Sequence, residues 1–389
     1  MTQKLERVLQ LQLLLLLPSQ LALHFWPSWS LINGIRVDYL SPTLYLTDIL
    51  IILLWLFNSP LHLPSLKLRE GKGVSYFRFG LVIFITLNIL FSFSPLLTIY
   101  KWFRVLEYFW LFKYLTKKNL ALSTWPLALS VIWTSALAWW QFFLQHSVGG
   151  LWWWLGERPL SVAAPLIAKV SFAGQLVMRS YATFPHPNAL AGFLLVAALL
   201  LYRRVPWATA LAFLTIPITF SRTAIVLEIG ILLIWISLKI KNLKLKIATS
   251  AALLLSTLYF LLSITGSPVS FLDRQSLNHL PISTIQQFPF LGVGLGNFLP
   301  ATGLLQPVHN IYLLLASELG IPAVAVIGYW LMVHGKKLLS TMNYELITAI
   351  TVIAITGAAD HYWVTLHQPA LLLVVLLAII KVKSMNHEL

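Results

Sequence analysis

The chain has 389 residues, 58% hydrophobic and only 10% charged, with no cysteine and a formal net charge of +15. That composition excludes an ordinary soluble globule, and the missing thiols exclude disulfides, thiolate catalysis and cysteine metal sites. Apolar runs near the ~20 residues needed to cross a hydrocarbon core recur throughout, so an all-α, polytopic integral membrane protein is expected.

In chain order the runs predict about twelve transmembrane helices, near 8–26, 43–60, 77–95, 97–116, 124–145, 187–202, 206–220, 223–239, 246–265, 309–333, 344–358 and 369–382. The first follows Lys4 and Arg7 as a signal peptide would, but no small-x-small cleavage site follows it, so a retained helix is expected. With the N-terminus inside, 19 of the 27 Lys and Arg residues fall in inner segments. That is the positive-inside pattern of a multi-pass protein of the cytoplasmic membrane with both termini cytoplasmic, and it accounts for the basic charge without nucleic acid.

Residues 1–389 read as a single transmembrane domain with two long outer loops, 146–186 and 266–308, and no sustained internal repeat. Function is expected on the outer side, where loops are long. The tryptophans of "LWWWLGERP" (151–159) suit the lipid interface, and 160–181 reads as an amphipathic segment lying on the membrane. Within the fourth helix, Arg104 and Glu107 are spaced to pair on one face. Topology gives no reason for Arg36, Arg158, Lys169, Arg179, Arg222 and Arg274 to lie outside.

Four outer stretches join polar residues to helix starts. In "RSYATFPHPNALAGFLL" (179–195), Arg179, His186 and Asn188 precede the sixth helix, with Pro187 suited to its first turn. In "FSRTAIVLEIG" (220–230), Ser221 can cap the eighth helix, while Arg222 opposes the helix dipole and calls for an anion or a carboxylate such as Glu228. The stretch 271–298 holds Asp273 and Arg274 and ends in "GVGLGNF". No βαβ pattern surrounds those glycines, so they are expected to turn the loop back toward the membrane rather than hold a dinucleotide. His309 and Asn310 open the tenth helix, whose N-terminal dipole disfavours an imidazolium. "DHYWVTLHQ" (360–368) adds Asp360, His361 and His367. His186, His309, His361 and His367 show no close ligand spacing and there is no DxD, so no metal or other cofactor is expected.

Together "TFPHPNALAGFL" (183–194), "FSRTAI" (220–225), "PFLGVGLGNF" (289–298) and "HNIYLLLASELGIPA" (309–323) resemble the O-antigen ligase and O-antigen polymerase superfamily of polytopic glycosyltransferases. The last stretch is the most specific: His, Asn, nine residues and then Gly-x-x-Gly, with Ala323 in place of the final glycine. The resemblance implies a C-type glycosyltransferase-like fold with its core at about 179–370. It implies a metal-independent, inverting enzyme that takes a glycan from undecaprenyl pyrophosphate on the outer face of the cytoplasmic membrane. The acceptor hydroxyl belongs to lipid A-core for a ligase, to another lipid-linked repeat for a polymerase, or to a protein Ser or Thr for their relatives; all three stay open. It assigns His309 to the acceptor as general base and Arg222 and Arg274 to the diphosphate, with Arg179, His186, Asn188, Asn310, Asp360 and His361 lining the cleft. Without a metal, arginine is the side chain suited to a diphosphate leaving group. A flippase or transporter of lipid-linked sugar is the alternative, since it too needs outward cations and a lipid-facing groove.

Overall fold

The computed structural model describes residues 3–58, 72–118, 124–165, 167–265 and 279–386, and over these the chain is mostly helical. The helices are α1 (Gln3–Leu15), α2 (Leu46–Asn58), α3 (Lys72–Leu90), α4 (Pro95–Lys118), α5 (Thr124–Leu144), α6 (Pro187–Leu201), α7 (Pro206–Thr215) and α8 (Arg222–Lys239). They continue as α9 (Leu243–Ser263), α10 (His279–Gln287), α11 (Phe298–Thr302), α12 (Ile311–Leu319), α13 (Ile321–Thr341), α14 (Tyr344–Ala359), α15 (Tyr362–Thr365) and α16 (His367–Asn386). Among the described residues α5, α9 and 367–385 of α16 are long and apolar enough to cross a membrane.

Three sequence expectations are corrected. The run expected as a helix over 8–26 stops at Leu15, because Pro18 has no amide hydrogen to extend the ladder. Strands take over instead: β1 (Ala22–His24) pairs antiparallel with β4 (Thr43–Tyr45), and β2 (Leu31–Ile32) with β3 (Ile35–Arg36). Asn33 and Gly34 turn the inner hairpin at φ +51° and +78°, the left-handed pair that a two-residue loop requires.

The stretch expected as an amphipathic segment over 160–181 contains a hairpin of β5 (Lys169–Phe172) and β6 (Gln175–Met178), joined by β5 to β7 (Ile264–Thr265). Its turn residues Ala173 and Gly174 again lie at positive φ, 49° and 80°.

The helix expected over 309–333 is broken at Gly320 (φ +79°) into α12 and α13. A Cβ on Gly320 would strike the Phe290 carbonyl, and one on Gly292 (φ +63°) would strike the backbone of Glu318. This mutual approach lets Val293 N donate to Ser317 O at 2.9 Å and Ile321 N to Pro289 O at 2.8 Å. The glycine-rich loop thus packs along α12.

The main apolar core draws on α1, α2, α4 to α8 and α14 to α16. At its centre lies α6, buried along almost its whole length, as an all-apolar helix must be. A second cluster, including Ile32, Val37, Leu97, Phe298, Val308 and Leu314, supports the loop that carries His309.

Candidate active site

The end of the molecule where α6, α12 and α16 begin gathers polar groups from distant parts of the chain. His186 is the N-cap of α6, and its Nδ1 accepts from the Asn188 amide at 3.1 Å, with Pro187 in the first turn. Asn188 Nδ2 donates to Asp360 Oδ2 at 2.8 Å, while Arg179 Nη2 donates to Asn188 Oδ1 at 2.5 Å. Asp360 is the C-cap of α14. Its Oδ1 accepts from the His361 amide at 2.8 Å and lies 3.3 Å from His309 Nδ1. The His309 and His361 rings are 5.4 Å apart.

Protonation follows from donor and acceptor chemistry. A carboxylate only accepts, so the hydrogen on the neutral His309 ring sits on Nδ1 and leaves the Nε2 lone pair open. The Thr365 hydroxyl donates to the His361 carbonyl at 3.0 Å and can therefore only accept from His361 Nδ1, at 2.7 Å. Burial disfavours charge on Asp360, yet the hydrogen bond from His309, with His361 and His186 nearby, holds its carboxyl far below the usual carboxylate range. Burial pushes His361 down to about 4 against the pull of Asp360. Burial and then the Arg179 guanidinium push His186 down to about 3.

The structure joins Arg179, His186, Asn188, His309, Asp360 and His361 in one network. Asn310 serves differently: its Oδ1 caps α12, accepting from Tyr312 N at 2.9 Å and Leu313 N at 3.1 Å, and Asp360 rather than Asn310 orients His309. Ser221 takes the N-cap position of α8 without a side-chain capping bond. Arg222 finds a carbonyl rather than Glu228, donating to Ile264 O at 3.0 Å. Arg179 Nε donates to Thr219 O at 2.7 Å, three residues before Arg222 in the chain. Arg274 lies outside the described residues.

Two contributors escaped the sequence reading. Thr365 follows His361 by four residues, one helical turn. Arg158, already conspicuous as an outward cation, donates to the Pro185 carbonyl at 2.7 Å beside His186.

The expectation that the histidines lack metal-ligand spacing is corrected for two of them. His309, Asp360 and His361 offer donor atoms all within 4.8 Å of one another, a set that chain separation concealed. His367 belongs elsewhere: its Nε2 lies 2.8 Å from Thr47 Oγ1 and 3.2 Å from Asp48 Oδ1, and its Nδ1 lies 2.8 Å from the Tyr108 hydroxyl. Arg104 closes that cluster, 2.7 Å from both Asp48 and the expected partner Glu107. Asp48 sits in the first turn of α2 and His367 opens α16, while Arg104 and Glu107 come from the middle of α4.

No protein family, curated protein or solved structure matches the chain.

Proposed function

We propose that the protein is a multi-pass membrane glycosyltransferase of the O-antigen ligase or polymerase type, with about twelve spans and its active site on the outer face of the cytoplasmic membrane. It transfers a glycan from undecaprenyl pyrophosphate to a lipid, glycan or protein hydroxyl. The observation that carries this reading is the contact between His309 Nδ1 and Asp360 Oδ1 at 3.3 Å, which leaves Nε2 free to take a proton. His309 Nε2 removes the acceptor hydroxyl proton as that oxygen bonds to the anomeric carbon. The bond from this carbon to the diphosphate breaks on the opposite side, the configuration inverts, and the electron pair leaves with the diphosphate.

Arg179 is the cation tied to the network through Asn188 and is the first candidate to stabilise that leaving group. Arg222 and Arg274 retain the diphosphate role on resemblance. The His309, Asp360 and His361 donor set makes metal dependence a required control rather than an assumption.

A transporter of lipid-linked sugar needs charge along a path at mid-membrane depth. In the Asp48, Arg104, Glu107 and His367 cluster the charges engage one another, Arg104 with Asp48 and Glu107 and His367 with Asp48, which favours a structural role over a transport path. Purified protein in detergent with EDTA should consume an undecaprenyl-pyrophosphate oligosaccharide when given a suitable acceptor, without any gradient. Unchanged donor with every acceptor class would count against the enzyme reading, and activity abolished by EDTA but restored by a divalent metal would overturn the metal-free mechanism.

A further inference from the structure

One contact in the candidate active site is unfavourable as it stands. The Thr365 hydroxyl accepts from His361 Nδ1 at 2.7 Å, so in the uncharged ring Nδ1 carries the hydrogen and Nε2 the lone pair. That Nε2 lies 3.8 Å from Asp360 Oδ1, a carboxylate oxygen that can also only accept. Among the described residues no donor reaches His361 Nε2, and His309 Nδ1 stands 3.3 Å from the same carboxylate oxygen. Proton transfer through His309 uses the contact with Asp360 and leaves the His361 lone pair without a task.

A dication with affinity for imidazole resolves that arrangement. A tetrahedral zinc ion held at about 2.0 Å keeps neighbouring donor atoms about 3.3 Å apart. His309 Nδ1 and Asp360 Oδ1 are already at 3.3 Å, and all three donor atoms lie within 4.8 Å of one another, so small rotations of the two rings complete the set. The outer contacts that orient metal ligands are in place: Asp360 Oδ2 accepts from Asn188, Oδ1 accepts from the His361 amide, and His361 Nδ1 donates to Thr365. Asp360 is 6% exposed while the His309 and His361 side chains are 23% and 16% exposed, so the carboxylate is anchored and the rings offer an entry from outside. Two nitrogen donors favour a transition-metal dication over magnesium or calcium, and three protein ligands leave a fourth position open. Arg179, tied to Asp360 through Asn188, adds positive charge nearby and keeps the expected affinity moderate.

We propose that His309, Asp360 and His361 bind a transition-metal dication, for which Zn²⁺ is the probe, and that the bound ion switches glycan transfer off. The ion takes the lone pair of His309 Nδ1, so the ring hydrogen moves from Nδ1 to Nε2 and no proton is lost overall. Nε2 then donates where transfer requires it to accept, and the acceptor hydroxyl keeps its proton. Binding stands on the donor set alone, whereas the inhibition rests on the glycosyltransferase reading with His309 as base.

The test uses full-length protein purified without a polyhistidine tag, stripped with EDTA and then freed of the chelator. Calorimetric titration with Zn²⁺ is expected to give one site per chain with a Kd of about 10 μM or tighter. His361→Ala should weaken binding at least about tenfold and Thr365→Val several-fold, by freeing the ring it orients, while substitution of an exposed histidine, His146→Gln, should leave it unchanged. X-ray absorption at the zinc edge should show two imidazoles in the wild type, a readout that holds even if a variant fails to fold. Saturating Zn²⁺ should lower transfer at least about tenfold and EDTA restore it, whereas equal Mg²⁺, which also binds a diphosphate, should leave the rate unchanged. No saturable Zn²⁺ binding, or binding indifferent to both His361→Ala and Thr365→Val, would overturn the site, whether or not transfer is observed. Bound Zn²⁺ that leaves transfer unchanged or raises it would overturn the switch. Zn²⁺ bound as expected with no transfer under any condition would leave the site standing and count against the glycosyltransferase reading, and with it the switch.

Discussion

His309 Nδ1 lies 3.3 Å from Asp360 Oδ1 although 51 positions separate them in the chain. The pairing gives the histidine a fixed tautomer and gives a buried carboxylate a role, which the single residues lack. An Asp360→Asn variant keeps the shape but can present an amide N–H to Nδ1, favouring the tautomer whose Nε2 bears the hydrogen. Transfer is expected to fall by roughly 10²–10⁴-fold in kcat, with a much smaller change in KM. Steady-state kinetics of glycan transfer check this, and a kcat within a factor of about three of wild type would contradict it.

Asn310 is assigned to capping, not to chemistry. Asn310→Ala removes the acceptor for two α12 amides and should cost about 1 kcal/mol of stability. Transfer should stay within about tenfold of wild type at a temperature where the variant is folded, since that loss of stability leaves most molecules native. Thermal unfolding and transfer measured on the same preparation separate this role from that of His309.

Stability should depend on pH through His361 and His186. Their folded values are pushed down to about 4 and about 3 from an ordinary 6.5. Below 6.5 the unfolded chain therefore takes up protons that the folded chain refuses, and stability is lost as pH falls from 6.5 toward 4. Asp360 adds nothing within that window: its carboxyl is held lower still, so its contribution is present above the ordinary carboxylate value of 3.8 and fades only at lower pH. The apparent melting temperature in detergent should decline across this range, and a flat profile would contradict the burial of the two rings.

Gly320 and Gly292 hold the loop against α12. Gly320→Ala places a Cβ against the Phe290 carbonyl at a φ of +79° and should destabilise by roughly 1–3 kcal/mol. Because α12 begins beside His309, transfer should fall as well. A melting temperature unchanged from wild type would show that the break between α12 and α13 is not required.

How much of this was legible in the sequence depends on the range of each interaction. Helices α2, α6 and α14 lie close to their hydrophobic runs, because apolar periodicity and a proline at the first turn of α6 are local signals. The Arg104 and Glu107 pair was readable for the same reason, as neighbours on one helix face. Ala173-Gly174 was legible only in hindsight, as a short turn signal inside an amphipathic segment, and Asn33-Gly34 lies in the connection between the first two expected helices, where the strands flanking it are only two residues long. Gly320 was quoted as part of a motif, but its break depends on the Phe290 carbonyl, thirty residues upstream. The candidate site divides in the same way. Its residue types stood out because they were polar at the starts of apolar helices. That Asp360 ties His309 to Asn188 was not readable, since it depends on how α6 and α14, in the main core, meet α12, whose Leu314 belongs to the second cluster.

The central claim is that His309 takes the proton from an acceptor hydroxyl. The most direct measurement is single-turnover transfer from an undecaprenyl-pyrophosphate oligosaccharide, in EDTA, by wild type and His309→Ala protein purified in parallel and matched for melting temperature. The account predicts glycan-bearing product from the wild type and a loss of at least about 10²-fold in the variant, with donor binding retained. Product formed by His309→Ala at the wild-type rate would contradict it.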